Sequence, residues 1–166
     1  MAQKCRNAVA LLDDLDFFVK TGANIFGEGK DGWDPRVYHA IGGLLRHGGG
    51  LSAITCSTVN SYKGLVARVP GFEGGVYTWA PTHVTYGPNN RSAMLRMPQN
   101  RFCIENRATD MCMNAYLAMA CTTAATLEGL SLKTEPGPPL GKDLYQMSEE
   151  EFDEAGIQRL PRNLGD

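Results

Sequence analysis

A chain of 166 residues has the size of one domain and can bury roughly 70% of its unfolded surface. Its formal charge of −2, from 16 basic and 18 acidic side chains, argues against a dedicated nucleic-acid binder, and no arginine- or lysine-rich block reverses that. Five cysteines without CxxC spacing suggest neither a zinc site nor a disulfide framework, and read as reduced, mostly buried thiols.

From the start of the chain, Met1–Lys20 forms an amphipathic helical pattern through Val9, Leu12 and Phe17. Its acidic cluster, Asp13, Asp14 and Asp16, is a solvated helix face in one reading and a metal-binding patch in another. The apolar run Ala8–Leu12 is far too short to cross a bilayer, and the aspartates directly after it are unlike a signal peptide. The expectation is a soluble, cytoplasmic protein with no nucleic-acid or membrane partner. Thr21–Gly32 carries four glycines but lacks the GxxxxGK[ST] spacing of a phosphate loop, so it reads as turns.

Asp34 and Pro35 open a helix as N-cap and first helical residue, and Val37, Ile41, Leu44 and Leu45 give it a buried stripe. The glycines at 48, 49 and 50 are expected to stop it, with His47 on the negative end of its dipole; His47 and His39 read as capping or surface residues. After the apolar stretch Leu51–Val59 a loop begins at Asn60. The segment 70–75, PGFEGG, is too rich in glycine to pack as a core element and presents Glu73 on a mobile loop.

Val76–Ala80 and the residues around Val84 and Tyr86 read as strands leading to a hairpin. Its limbs are NNRSAMLRM (89–97) and FCIENR (102–107), with Ala93, Leu95 and Met97 on one face, continued by Phe102 and Ile104. A four-residue connection at 98–101 places Met97 opposite Phe102 and Leu95 opposite Ile104, and gathers Arg96, Glu105 and Arg107 on the other face. Arg91 has the wrong parity and joins them only from before the strand or after a bulge. Either this is a solvated strand surface with weakly paired charges, or it is an anion site. Between Ser61 and Arg107 the basic residues are Lys63, Arg68, Arg91, Arg96, Arg101 and Arg107, against only Glu73 and Glu105. Guanidinium forks suit phosphate or carboxylate oxygens, and a lone carboxylate among them suits a magnesium ion bridging to phosphate.

Asp110 or Asn114 caps the next helix, whose stripe Leu117, Ala120, Cys121, Ala124 and Leu127 ends at Gly129. Its small residues are expected to let it lie close beneath the hairpin. PGPP at 136–139 marks a rigid surface connection, and Ser148 opens a last helix with Glu149–Glu151 in its first turn. No GxSxG pattern or other nucleophilic triad can be assembled.

NSYKGL (60–65), PGFE (70–73), NRSAMLR (90–96), IENR (104–107), NAYLA (114–118), EPGPP (135–139) and DLYQMS (143–148) stand in the order and spacing of the C-terminal half of glutamine synthetase, which the chain resembles. GANIFGE (22–28), GGLLRH (42–47) and LPRNL (160–164) extend the resemblance across about nine-tenths of the chain. It implies an α+β fold, a curved antiparallel sheet with helices on its outer face, with residues 21–166 as part of the catalytic domain and 1–20 as a divergent N-terminal helix. The implied activity is an ATP-dependent carboxylate–amine ligase that phosphorylates a glutamate γ-carboxylate and lets ammonia or an amine displace the phosphate. The implied roles are nucleotide and phosphoryl binding for Arg91 and Arg96, metal binding (Mg2+ or Mn2+) for Glu105, and a grip on the substrate carboxylate for Arg107. Glu73 on its flap closes over the site and binds or deprotonates the ammonium.

The chain departs from the family pattern in three places. Gly64 stands where the family has arginine after Tyr-Lys, with Arg68 as a substitute for the lost guanidinium; Asp13 and Leu15 stand where it has a His-x-His pair; and most of the family's metal-binding glutamates have no counterpart in this sequence. The expectation is a partial active site, inactive alone, in a homo-oligomer or docked onto related subunits. The alternative is a non-catalytic nucleotide-binding or docking module of the same fold.

Overall fold

The computed structural model describes Asn24, Phe26, Gly27 and residues 32–65 and 79–166. The helix expected at Met1–Lys20, Asp13, Arg68 and the Glu73 loop lie outside the described residues.

Asp34 caps α1, Pro35–Arg46, by accepting the Arg36 backbone N–H at 2.8 Å, and Pro35 occupies the first turn, where no amide donor is needed. Val37, Ala40, Ile41 and Leu44 are buried along one side. As expected, α1 ends just before the glycine triplet, but a second helix begins within it. His47 breaks the geometry (φ −105°, ψ 12°), and the glycines form the first turn of α2, Gly48–Thr55. Three glycines weaken a helix by about 1 kcal/mol each, but burial of Leu51, Ser52 and Thr55 overrides that preference. Gly48 is also demanded sterically, since a Cβ there would lie 2.6 Å from Val84 Cγ1. A 3-10 turn, Ser61–Leu65, follows and buries Tyr62 and Leu65.

The described sheet has the order β1 (His83–Pro88), β2 (Ala93–Met97), β3 (Glu105–Asn106). The α+β class holds, but this sheet is mixed: β2 and β3 are antiparallel, whereas β1 and β2 run parallel with Tyr86 opposite Leu95 and Gly87 opposite Arg96. A parallel pair normally needs a crossover of a dozen residues. Four suffice here because the strands are short: the five Cα steps from Pro88 to Ala93 reach about 17 Å when extended, which matches the strand length. Asn90 clasps this return. Its Nδ2 donates to the carbonyls of Leu140 and Lys142, both at 2.9 Å, and its Oδ1 accepts from the Ser92 amide at 3.0 Å and hydroxyl at 2.7 Å.

The β2–β3 register differs from expectation by two residues, with Arg96 opposite Glu105 and Leu95 opposite Asn106. Phe102 is drawn out of the ladder by Trp33, which it meets edge-on at 5.0 Å between ring centroids, so pairing begins later. A slip of two keeps every side chain on its expected face.

The largest revision concerns α3, Ala115–Leu132. Asn114 is its cap, accepting from the amides of Tyr116 and Leu117, but Leu117 is 56% exposed, and the buried positions are Ala118, Ala125, Leu127 and Gly129. Gly129 lies inside the helix, which ends at Lys133 in the left-handed conformation (φ 50°). Instead of lying beneath the hairpin, α3 crosses α1. A Cβ on Gly43 would sit 2.1 Å from the Ala125 carbonyl oxygen, and one on Gly129 2.2 Å from that of His39. His47 bonds Glu128 across the pair at 3.1 Å, which gives it a structural role, whereas buried His39 Nδ1 lies 3.5 Å from exposed Glu135 and has no hydrogen-bond partner among the described residues.

Ser148 and Glu151 form a reciprocal capping box on α4, Glu149–Glu154. Its Phe152 stacks on buried His83, with ring centroids 3.6 Å apart. The C-terminal stretch then closes the outer edge of β1 through Val84 N–H to the Gln158 carbonyl and Leu160 N–H to that of Thr82.

Candidate active site

Arg96 and Glu105 face each other as a directly opposed pair across β2 and β3. Arg96 Nη1 donates to Glu105 Oε2 at 2.9 Å, and Arg101 Nη2 donates to Oε1 at 2.7 Å from the connecting loop. Arg107 Nη1 stands 4.0 Å from Oε2. One carboxylate is therefore ringed by three guanidiniums, and two of them, Arg96 foremost through its hydrogen bond and then Arg101, hold its carboxyl below the usual range against the opposing effect of burial.

Arg107 itself is anchored by backbone. Its Nε donates to the Arg91 carbonyl and its Nη2 to the Trp79 carbonyl, both at 2.9 Å. It thus ties the β1–β2 return to the residues just before β1. Burial lowers its pKa against the favourable Glu105 charge, and the positive charges of Arg96 and Arg91 add to the lowering. The segment behind it is clipped to α2: Thr55 Oγ1 donates to the Ala108 carbonyl at 2.8 Å and the Asp110 amide to that of Thr55 at 3.0 Å.

Arg91 lies on the exposed return before β2, which resolves its parity. Among the described residues its side chain makes no hydrogen bond or ion pair, although its charge is felt at Arg107. The four expected residues 91, 96, 105 and 107 are therefore brought together. Arg68 and Glu73 lie outside the described residues. Asn89 was missed by sequence reasoning, and Arg101 was signalled only as one of the basic residues of the stretch.

Arg107 also lines a cleft of about 310 Å³ with Cys56, Asn60, Gly64, Asp110 and Met111. Among the described residues a Cβ on Gly64 would meet nothing within 4 Å, so within them the position leaves the cleft wall open. The Asp110 carboxyl is held below its usual range, chiefly by a hydrogen bond from Ser61.

The arrangement suits anions. Guanidinium donors not engaged by protein acceptors, among them the remaining ones of Arg96 and Arg107, suit phosphate or carboxylate oxygens. For a metal the donor set is thin: among the described residues no three His, Cys, Asp or Glu side chains converge, and Glu105 is the carboxylate of the cluster. Magnesium is often held by one or two carboxylates together with substrate phosphates and water, so Glu105 fits as one ligand once exposed Arg101 swings off its Oε1. Among the described residues no helix is long and apolar enough to cross a membrane.

Residues 15–166 match the family model for the glutamine synthetase catalytic domain. A glutamate–methylamine ligase of Methyloversatilis universalis is 46% identical over 77% of this chain and 28% of its own length. A glutamine synthetase of Pyrococcus horikoshii is 42% identical over 89% of this chain and 32% of its own. Among solved structures, one described as a GmaS/ADP complex superposes with a TM-score of 0.69 at 38% identity, covering 86% of this chain and 31% of that one. Apo GmaS without ligand gives 0.66 at 37% identity, covering 86% of this chain and 30% of that one. The chain thus spans about a third of the length of the relatives it matches.

Proposed function

The chain belongs to the glutamine synthetase catalytic-domain family, and from that premise we propose that it carries the anion-binding wall of an ATP-dependent carboxylate–amine ligase site. The observation that supports this best is that, among the described residues, the Arg91 guanidinium has no hydrogen bond or ion pair while its charge reaches Arg107, which like Arg96 is itself held in place.

In this reading ATP supplies the phosphoryl group, and a magnesium or manganese ion supplies charge neutralisation between phosphates. Arg91 and Arg96 hold the nucleotide phosphates and offset charge developing on the transferring phosphoryl oxygens. Glu105 contributes one metal ligand, and Arg107 orients the carboxylate of a glutamate-like acid at the mouth of the cleft. Glu73, and Arg68 as a second substrate-binding guanidinium, keep the roles the resemblance implies. The open wall at Gly64 favours an incoming amine larger than ammonia, in keeping with similarity to a glutamate–methylamine ligase. Residues 21–166 form the C-terminal part of the catalytic domain, which by itself is expected to be inactive because metal catalysis here needs several carboxylates in one cavity. Exposed Tyr116, Leu117 and Met119 on the outer side of α3 support association with copies of the chain or related subunits.

Calorimetric titration with Mg-ATP tests the reading. Binding that Arg91→Ala and Arg96→Ala each weaken by at least tenfold is expected, and no hydroxamate should form from glutamate, hydroxylamine and ATP. Absence of any binding heat would overturn the nucleotide assignment and leave the non-catalytic docking module.

A further inference from the structure

Asn89 stands directly after β1, exposed, in the left-handed region at φ 51°. Asparagine tolerates that conformation better than other residues with a Cβ, though glycine tolerates it best. Its backbone amide donates to the Met97 carbonyl at 2.8 Å, which pins the residue beside the end of β2. Its Oδ1 then accepts from Arg96 twice, from Nε at 3.1 Å and from Nη2. The third engaged donor of Arg96, Nη1, goes to Glu105 Oε2 at 2.9 Å on the other side. Arg96 is thus gripped on two edges, and its side chain is only 15% exposed.

The two grips differ chemically. Glu105 holds the guanidinium and also cancels its charge. Asn89 holds it with a neutral oxygen and leaves the charge intact. Of the five guanidinium N–H groups, three are engaged in these bonds and two remain for a ligand. A long, flexible side chain is thereby fixed in one orientation before an anion arrives, which lowers the entropy cost of binding.

We propose that Asn89 is a positioning residue that presents Arg96 to phosphoryl oxygens through a neutral acceptor, preserving the charge that the site needs. The ligand assignment rests on the nucleotide reading above; the restraint on Arg96 does not. The residue acts through Arg96 and need not touch the ligand.

The test uses the whole chain with two substitutions and two readouts. Asn89→Gly keeps the left-handed backbone and removes the acceptor, whereas Asn89→Asp keeps the acceptor and adds a negative charge. The first readout is solvent exchange of the Arg96 Nε–H by NMR, with the more exposed Arg101 as internal control. Exchange at Arg96 should quicken about tenfold in Asn89→Gly and stay slow in Asn89→Asp, with Arg101 unchanged in both. The second is Mg-ATP affinity, expected to fall about fivefold to tenfold in Asn89→Gly and not to be restored in Asn89→Asp. Unchanged Arg96 exchange in Asn89→Gly would overturn the positioning role, whatever the nucleotide result. Full nucleotide affinity in Asn89→Asp would overturn the need for a neutral acceptor. If the unsubstituted chain binds no Mg-ATP, the nucleotide reading falls, and the exchange measurement still decides whether Asn89 orients Arg96.

Discussion

The α1–α3 crossing and the basic face of β2–β3 are built on opposite principles. At the crossing, Gly43 and Gly129 let two backbones meet at a distance no side chain could share. On the basic face, long side chains restrain one another: Glu105 between Arg96, Arg101 and Arg107, and Arg96 between Glu105 and Asn89. The first region is specified by sterics and has no slack. The second is specified by directional polar bonds among partly exposed groups, so it can lose a partner without unfolding but not without losing its geometry.

Adding one methyl group at the crossing should have the largest effect. Gly43→Ala puts a Cβ against the Ala125 carbonyl oxygen and neither helix can yield without the other, so a loss of about 3 kcal/mol or more is expected in a urea melt. A change below 1 kcal/mol would mean that the crossing has slack after all.

Asn90 stands between the two regimes. It is 9% exposed and makes four hydrogen bonds at the return between β1 and β2. Asn90→Ala leaves the Leu140 and Lys142 carbonyls without this donor and should cost about 2–3 kcal/mol. Comparison with Asn89→Gly sharpens the contrast, because the neighbouring residue should lower stability little and nucleotide affinity more.

Acid tests a third junction, where α4 meets the sheet. Burial lowers the pKa of His83 from 6.5 to about 4, and the charge of Arg159 adds to the effect. Between those values the unfolded chain binds a proton that the folded chain excludes. Stability is therefore full above pH 6.5 and falls as pH drops toward 4, by at most about 3 kcal/mol. Urea midpoints at pH 7 and pH 4.5 measure the fall, which His83→Gln should flatten.

The smallest stability change belongs to the basic face. Glu105→Gln removes the shared charge from a partly buried network while its amide oxygen can still accept from Arg96, and should alter stability by about 1 kcal/mol. Its signature is functional: Mg2+ should no longer enhance ATP binding in a titration with and without the ion. Retained enhancement would remove Glu105 from the metal role.

Much of the site was legible beforehand because strand parity survives a slip of two. Arg96, Glu105 and Arg107 share a face in either register, so the electrostatic reading holds although the pairing differs. Phe102 shifts the register through its contact with Trp33, which is remote in sequence and leaves no periodic trace. The buried side of α3 was only partly legible: Leu127 and Cys121 of the expected stripe do face the core, but the helix is apolar around much of its circumference, and the close approach at Gly43 and Gly129 selects which side is covered. Gly48–Gly50 were partly legible for a related reason: local propensity favours the stop of α1, while the close approach of Val84 and the burial of Leu51 favour a second helix.

By itself the sequence determined the α1 start at Asp34 and Pro35, the Ser148 capping box, the faces of β2 and β3, the basic cluster and the family to which the ordered motifs belong. These depend on periodicity, local hydrogen bonding and composition, all of which act over a few residues or a motif. Only the tertiary structure decided the strand register, the parallel return through Asn90, the α1–α3 crossing and the two-sided hold on Arg96. Each of those depends on an atom brought within contact distance from elsewhere in the fold.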